Sequence, residues 1–181
     1  MKNELFKMRN KKFTEGLYDL INYVNKFSET KNMNMIEIGS YAGESTKIFS
    51  EHFKTVLSID PYLNDYDVKD PACSYMDLNN VYYHFIENTK NLNNITHIRK
   101  KSDDAILNIK DLTFDFVYID GLHTKEQVEK DIINYLPHIK SNHYIGGHDY
   151  HTNWPDVIEI VNKFFGKPDM VFKDSSWIKK I

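Results

Sequence analysis

Short apolar runs alternate along the chain with segments of helical periodicity, and this alternation restricts the fold more than any other feature. The runs predict strands over 33–38, 55–59, 95–99, 114–119 and 143–147. Helices are predicted over 44–52, 74–92, 103–109, 125–136 and 157–165. Such alternation favours a parallel sheet with helices on both faces, because right-handed crossovers place the helices there.

The two ends of the chain depart from this pattern. Near the N-terminus, apolar side chains at three- and four-residue steps predict an amphipathic helix over 14–30. Near the C-terminus, predicted strands at 170–172 and 177–178 flank the turn-like Asp174-Ser175-Ser176, with no helix between them. We therefore expect an α/β fold with a Rossmann-like, doubly wound, mostly parallel seven-stranded sheet and a C-terminal antiparallel hairpin.

Composition limits the class of protein. The 181 residues fit a single domain, 1–181, in which 1–30 form an N-terminal helical extension and 31–181 the core. A formal net charge of −3 supplies no global positive field, so we expect no nucleic-acid partner. No run approaches the roughly 18 apolar residues that cross a bilayer. A single cysteine and the lack of a signal-peptide pattern lead us to expect a cytoplasmic protein with no membrane partner.

Polar or small residues stand at or just beyond the carboxyl ends of the predicted strands. They are Gly39, Asp60, Ser102, Asp120 and Asp149. In open α/β sheets, ligands bind outside this edge, near the point where the strand order reverses. The sequence therefore predicts that these residues surround one ligand site.

The turn after the first strand and the acid after the second suit a nucleoside cofactor. Gly39 and Gly43 bracket a turn in which the backbone can approach a ligand, and the helix from Glu44 offers free N–H groups to a carboxylate. Asp60 follows Gly39 by about twenty residues, the spacing at which a carboxylate accepts both ribose hydroxyls. Plain turn geometry explains the glycines equally well, and a capping role explains Asp60. A nicotinamide dehydrogenase is disfavoured because GSYAG lacks the middle glycine of G-x-G-x-x-G.

Four segments carry a family resemblance. They are IEIGSYAGEST at 36–46, SID at 58–60, KSDDA at 101–105 and FDFVYIDG at 114–121. In this order and spacing, the chain resembles the class I S-adenosylmethionine-dependent methyltransferases from about Met33 to its C-terminus. The resemblance implies S-adenosylmethionine as cofactor, bound by Glu37, Gly39, Ser40, Tyr41, Gly43, Ser45, Asp60, Ser102, Asp103 and Asp120. Its ribose would lie at Asp60 and its adenine near Ser102 and Asp103.

Two acids and three histidines follow the fourth and fifth predicted strands, in the segments Asp120-Gly121-Leu122-His123 and Gly147-His148-Asp149-Tyr150-His151. These segments resemble those of metal-dependent sugar O-methyltransferases of the macrocin type and, more distantly, of catechol and caffeoyl-CoA O-methyltransferases. The resemblance implies Mg²⁺ or Mn²⁺ held by Asp120 and Asp149. His148 is the candidate third ligand, since Leu122 stands where sugar-type relatives often have an acid. Hydrogen bonding among these groups without a metal is the alternative.

His123, together with Asp120, is the candidate catalytic residue. An imidazole titrates near neutral pH and suits the removal of a hydroxyl proton, although a structural histidine at a helix start is the alternative. We expect methyl transfer from S-adenosylmethionine to a hydroxyl of a small molecule or sugar, with metal assistance. An inactive cofactor-binding partner subunit, and a methyltransferase that acts on another acceptor without metal, stay open. At 181 residues the chain has little room for a separate substrate domain. A homodimer in which a neighbouring protomer completes the acceptor pocket is therefore a further expectation.

Overall fold

A seven-stranded sheet forms the centre of the computed structural model, which describes residues 10–67, 69 and 77–181. The strands are β1 (Asn34–Ile38), β2 (Thr55–Ile59), β3 (Ile95–Ile98), β4 (Phe114–Ile119), β5 (Ile139–Gly147), β6 (Met170–Val171) and β7 (Trp177–Lys180). They lie in the order β3-β2-β1-β4-β5-β7-β6. Strands β1 to β5 pair in parallel, whereas β7 runs antiparallel to both its neighbours. The predicted fold class is confirmed.

Helices connect the strands as the alternating pattern predicts. They are α1 (Lys11–Asn25), α2 (Glu44–His52), α3 (Leu78–Thr89), α4 (Ser102–Ala105), α5 (Lys125–Tyr135) and α6 (Pro155–Phe165), with short 3₁₀ turns at Thr30–Asn32, Ile106–Asn108 and Leu136–His138. The start of α3 is fixed by Asp77, whose side chain accepts the N–H of Asn79 at 3.0 Å. The earlier start predicted for this helix, at 74, lies outside the described residues.

Alternate side chains of the strands pack into two hydrophobic layers, one on each face of the sheet. Ile36 and Ile38 of β1 pack toward the face that α4 to α6 cover. Met35, which precedes Ile36, packs toward the face that α1 and α2 cover. Every residue of the central strand β4 is buried, as expected for a parallel strand covered on both sides. The sheet is therefore the middle of three layers.

The N-terminal helix is one of these layers and begins earlier than predicted. Asn10 caps it by accepting the N–H of Phe13 at 3.2 Å, so α1 starts at Lys11 instead of 14. The helix ends at Asn25, whose side chain turns the chain by accepting the N–H of Thr30 at 3.1 Å. Its buried stripe consists of Gly16, Leu17, Leu20, Ile21 and Val24. Phe27, which the predicted helix over 14–30 includes, lies past the end of α1 and is 64% exposed.

Strand β5 is four residues longer at its start than the predicted strand, which begins at 143. Its first residue, Ile139, pairs with Phe114 of β4, and the register then shifts before Tyr144 pairs with Phe116. Polar residues between these two pairs interrupt the apolar run, which is why the sequence pattern shows only the later half.

The strand order reverses between β1 and β4, and the loops that follow these strands meet at the carboxyl edge of the sheet. Asp120 extends β4 by donating its N–H to the carbonyl of Ile38 at 2.8 Å. His148 extends β5 by donating to the carbonyl of Ile119 at 3.0 Å. Across the described residues, no helix has the length and apolar character needed to cross a membrane.

Candidate active site

The glycine turn after β1 depends on a close backbone approach. Gly39 adopts a φ of 86°, and a Cβ there would lie 1.9 Å from the carbonyl oxygen of Asp120. Gly43 ends the turn with a φ of 83° and caps α2. Any side chain at Gly39 would push the loops after β1 and β4 apart. Glycine at this position therefore allows the two loops to lie in contact.

Asp60 ties the end of β2 to this turn. Its Oδ2 accepts the N–H groups of Ser40 and Tyr41 at 3.1 and 2.9 Å, and its Oδ1 accepts the N–H of Tyr62 at 2.9 Å. Burial raises the pKa of Asp60, and the three amide donors offset this only in part. The carboxylate is therefore fixed in one orientation at the edge of the pocket.

One cavity of about 320 Å³ spans the carboxyl edge of the sheet. Seven residues predicted to bind the cofactor line it: Gly39, Ser40, Tyr41, Ser45, Asp60, Ser102 and Asp120. The other three predicted residues do not line it. Glu37 is buried and accepts the hydroxyl of Thr46 at 2.5 Å, Gly43 packs against Phe85, and Asp103 faces Lys130 at 3.2 Å. Seven of the ten residues predicted to bind the cofactor therefore lie together around one cavity.

Asp131 also lines the cavity. It lies within α5 and not after a strand, so the search for polar residues at strand ends did not find it. Its Oδ1 accepts the hydroxyl of Ser102 at 2.6 Å and the side-chain amide of Gln127 at 3.0 Å. Burial raises the pKa of Asp131 to about 7, against the lowering effect of these hydrogen bonds. A signal was available in the sequence, because Asp131 falls on the buried stripe of α5 next to Val128 and Ile132.

The acids after β4 and β5 converge with His123, as their placement on neighbouring strands predicts. One ligand atom each from Asp120, His123 and Asp149 lies within 4.8 Å of the others. Nε2 of His123 is 2.8 Å from Oδ2 of Asp149 and 3.9 Å from Oδ1 of Asp120. His148 faces the same two carboxylates, with Nδ1 at 3.2 and 3.7 Å. Asp149 has a φ of 59°, a left-handed conformation that aspartate tolerates better than most residues.

Two further residues hold His123, and the sequence analysis singled out neither. Oδ2 of Asp67 lies 3.2 Å from Nδ1 of His123. The indole of Trp154 packs on the imidazole, with ring centres 4.3 Å apart and planes tilted by 31°. Asp67 belongs to the aperiodic segment after β2, and Trp154 directly precedes α6, so neither carries a periodic signal.

Without a bound cation, the neighbouring carboxylates favour the protonated form of His123. Burial alone lowers its pKa, but the carboxylates of Asp120, Asp149 and Asp67 raise it to about 12. The same contacts lower the pKa of Asp149 and of Asp67, against the effect of burial. Three carboxylates thus surround the imidazole of His123, and His148 faces two of them.

This cluster has the chemistry of a divalent cation site. Carboxylate oxygens suit Mg²⁺ and Mn²⁺, and an imidazole nitrogen favours Mn²⁺ over Mg²⁺. Nε2 of His123 is buried and lies 2.8 Å from Oδ2 of Asp149. The clustering of carboxylate oxygens with imidazole nitrogen fits a cation at this point.

Comparison with known proteins gives a family match over most of the chain. The model of a family described as a methyltransferase domain matches residues 36–150, which run from β1 through the acid–histidine cluster. Uncharacterized protein R132 of Acanthamoeba polyphaga mimivirus is 28% identical over 152 residues, which cover 80% of this chain. The match spans 64% of that protein's length, less than two thirds.

Solved structures share the fold at low sequence identity. The N-methyltransferase NodS from Bradyrhizobium japonicum WM9 has a TM-score of 0.62 at 15% identity, with 94% of this chain and 96% of that chain covered. A protein described as a caffeoyl-CoA O-methyltransferase, from Staphylococcus aureus, has a TM-score of 0.67 at 14% identity, covering 99% and 87%. The O-methyltransferase NovP has a TM-score of 0.68 at 13% identity, covering 97% and 81%. With its matched segment, strand order and glycine turn, the chain belongs to this methyltransferase domain family and has the fold of the class I S-adenosylmethionine-dependent methyltransferases.

Proposed function

We propose that this protein transfers the methyl group of S-adenosylmethionine to a hydroxyl of a small molecule or sugar, with the assistance of Mg²⁺ or Mn²⁺. The observation that carries the proposal is the convergence of Asp120 and Asp149 with two imidazoles in the cavity that also contains Asp60. A site that only binds the cofactor has no need of the second carboxylate.

The cofactor fits along the wall formed by the loops after β1, β2 and β3. The carboxylate of Asp60 would accept the ribose hydroxyls, because its oxygens face the cavity while backbone amides hold it in place. The turn from Gly39 and the first amides of α2 would hold the methionine carboxylate. Ser102, with Asp131 beside it, lines the end of the cavity left for adenine.

Asp120 and Asp149 would hold the cation, with Nδ1 of His148 as the nitrogen ligand. A bound divalent cation would lower the pKa of a substrate hydroxyl and help to orient it toward the methyl group. These carboxylates also keep His123 protonated when no cation is present. Neutralising them would bring the pKa of His123 back toward its ordinary value.

His123 would then take the hydroxyl proton at Nε2. This nitrogen lies on the cavity side of the ring, between the carboxylates that would hold the cation. Trp154 covers one face of the imidazole and limits its contact with water. His123 would act as a base, and His148 as a ligand.

The test is methyl transfer from radiolabelled S-adenosylmethionine to a panel of acceptors. The panel contains 3,4-dihydroxybenzoate and methyl glycosides as hydroxyl probes, with ethanolamine and histamine as amine probes. We expect label on a hydroxyl probe, loss of transfer with EDTA and recovery with Mn²⁺. Label on an amine, or an unchanged rate in chelated protein, would contradict the proposal. Binding of S-adenosylhomocysteine without transfer to any probe would favour an inactive partner subunit.

Variants separate the roles of the two histidines. His148→Ala should weaken Mn²⁺ binding in calorimetry. His123→Ala should leave Mn²⁺ affinity within a few-fold and lower kcat, because a general base contributes about 10²–10⁴-fold. If His123→Ala is the variant that loses Mn²⁺, then His123 is the ligand, and its role as base is excluded.

A further inference from the structure

The proposed base is held by a carboxylate that belongs to a different loop. We propose that Asp67 is a positioning residue, which binds the Nδ1–H of His123 and so leaves Nε2 as the nitrogen that takes the substrate proton. This inference rests on the proposed function, because it assigns a partner to the base of that same site.

The contacts of Asp67 fix the rotation of the imidazole. Its Oδ2 lies 3.2 Å from Nδ1 of His123 and also accepts the backbone N–H of His123 at 3.4 Å. One oxygen therefore holds both the main chain and the ring of the same residue. The Asp67 side chain is 6% exposed, so little water competes for these hydrogen bonds.

The opposite edge of the ring is arranged differently. Nε2 faces the carboxylates of Asp149 and Asp120, at 2.8 and 3.9 Å from their nearest oxygens. A half-turn of the ring would replace Nδ1 with a carbon and remove the hydrogen bond to Asp67. Trp154 packs on the ring face and restricts such a turn. With Nδ1–H bound to Asp67, Nε2 is the ring nitrogen that stays directed toward the proposed cation ligands.

The segment that carries Asp67 is itself anchored at the proposed cofactor site. It starts at Asp60, and the hydroxyl of Tyr62 donates to the carbonyl of Tyr41 at 2.7 Å. At its other end, Oδ1 of Asp67 accepts the N–H of Lys69 at 3.1 Å. The same short segment thus joins the proposed ribose contact to the residue that orients the base. A carboxylate that holds the far nitrogen of a catalytic histidine is an established way to fix its tautomer.

The first test needs no variant. Protein with ¹⁵N-labelled histidine is saturated with S-adenosylhomocysteine and Mg²⁺, and long-range ¹H–¹⁵N spectra report the protonation of each ring nitrogen. His123 is assigned from the spectrum of His123→Gln. We expect neutral His123 with its proton on Nδ1. A proton on Nε2 alone would overturn the inference, whereas protons on both nitrogens would contradict the base role in the proposed function.

The second test asks whether Asp67 acts through His123. Asp67→Ala should move His123 toward the Nε2–H form and lower kcat by about 10²-fold with the best hydroxyl probe of the panel. The affinity for S-adenosylhomocysteine should stay within a few-fold. Asp65→Asn is the matched control, since Asp65 is an exposed acid of the same segment with a φ of 59°, which asparagine also tolerates.

A double-mutant cycle distinguishes positioning from a merely structural role. If Asp67 works through the imidazole, Asp67→Ala should have little further effect on kcat in a protein that already carries His123→Ala. An equal loss of kcat in both backgrounds would overturn the inference. So would an Nδ1–H population that Asp67→Ala leaves unchanged. If Asp67→Ala does not fold, the wild-type spectrum still decides which nitrogen carries the proton.

Discussion

The carboxyl group of Asp60 shows how the function of one residue depends on its immediate neighbours. Three backbone amides from the turn after β1 and from Tyr62 hold its oxygens, and burial raises its pKa. The sequence indicates an acid after a strand, which is compatible with a cap or a ligand contact. Its position on the cavity wall favours the ligand contact.

Asp60→Ala should weaken the binding of S-adenosylhomocysteine. Loss of a charge-assisted contact to two hydroxyls costs on the order of 2 kcal/mol, which is roughly thirtyfold in affinity. Isothermal titration calorimetry on folded protein measures the change. Asp65→Asn serves as the control and should bind as the wild type does. An unchanged affinity in Asp60→Ala would remove the ribose assignment.

Asp131 should make stability depend on pH. Its pKa is about 7 in the folded protein, against an ordinary value of 3.8 for aspartate. Between these values Asp131 is ionised in the unfolded chain but protonated in the folded protein, so the stability that Asp131 contributes is fully present below pH 4 and is lost as pH rises toward 7. Asp131→Asn keeps a carbonyl acceptor for Ser102 but cannot ionise.

Urea unfolding at pH 5 and pH 8 measures this effect. From pH 5 to pH 8, the wild type should lose about 3 kcal/mol more unfolding free energy than Asp131→Asn. Taking the difference between the two proteins removes the contributions of other titrating groups. Equal pH dependence in both would show that Asp131 is ionised in the folded protein at pH 5.

At the scale of elements, the position of α1 depends on a close contact with the turn before β7. A Cβ on Gly16 would lie 2.2 Å from the carboxyl carbon of Asp174, a fully buried acid that accepts the N–H of Ser176 at 3.0 Å. This contact sets the start of α1 beside the site, where the ring of Phe13 lies 5.7 Å from that of His148. The N-terminal helix thus contributes to the wall of the cavity.

Gly16→Ala should destabilise the protein, although alanine is the better helix former by about 1 kcal/mol. The added methyl group cannot fit without moving α1 or Asp174, and such overpacking typically costs about 1–3 kcal/mol. Asn22→Ala, at an exposed position of the same helix, is the control and should be neutral or slightly stabilising. Urea midpoints compare the two. A gain in stability for Gly16→Ala would show that the helix shifts at little cost.

At the scale of the whole molecule, the candidate site exists only because loops from several strands meet at one edge of the sheet. Asp67 follows β2, Asp120 and His123 follow β4, and Asp149 follows β5. The order β2-β1-β4-β5 places these loops side by side. The cytoplasmic location, the homodimer and the absence of a nucleic-acid partner stay predictions.

Mn²⁺ should stabilise the folded protein as a whole, since unfolding disperses the residues that would bind it. At a concentration one hundred times Kd, the gain is about 2.7 kcal/mol, or a rise in Tm of roughly 5–10 °C for a chain of this size. Asp149→Asn should reduce this rise sharply while S-adenosylhomocysteine still raises Tm. Differential scanning fluorimetry measures both shifts, with Asp65→Asn as control. An equal Mn²⁺ shift in Asp149→Asn would place the metal elsewhere.

The sequence by itself determined the strands, the helices and the edge of the sheet at which the site lies. Periodicity is a local property, so β2 and β4 have the bounds that their apolar runs predict. The convergence of Asp120 and Asp149 was also predictable, because the carboxyl ends of parallel strands share one edge.

Only the tertiary structure decided which side chains complete the site. It brings Asp67 to His123 across 56 residues, stacks Trp154 on the same ring and turns Asp103 toward Lys130. Contacts between loops leave no periodic trace in either segment, since side-chain direction there depends on how the loops pack. The charge on His123 likewise follows from three carboxylates that come from three different loops, and no local pattern in the sequence contains that sum.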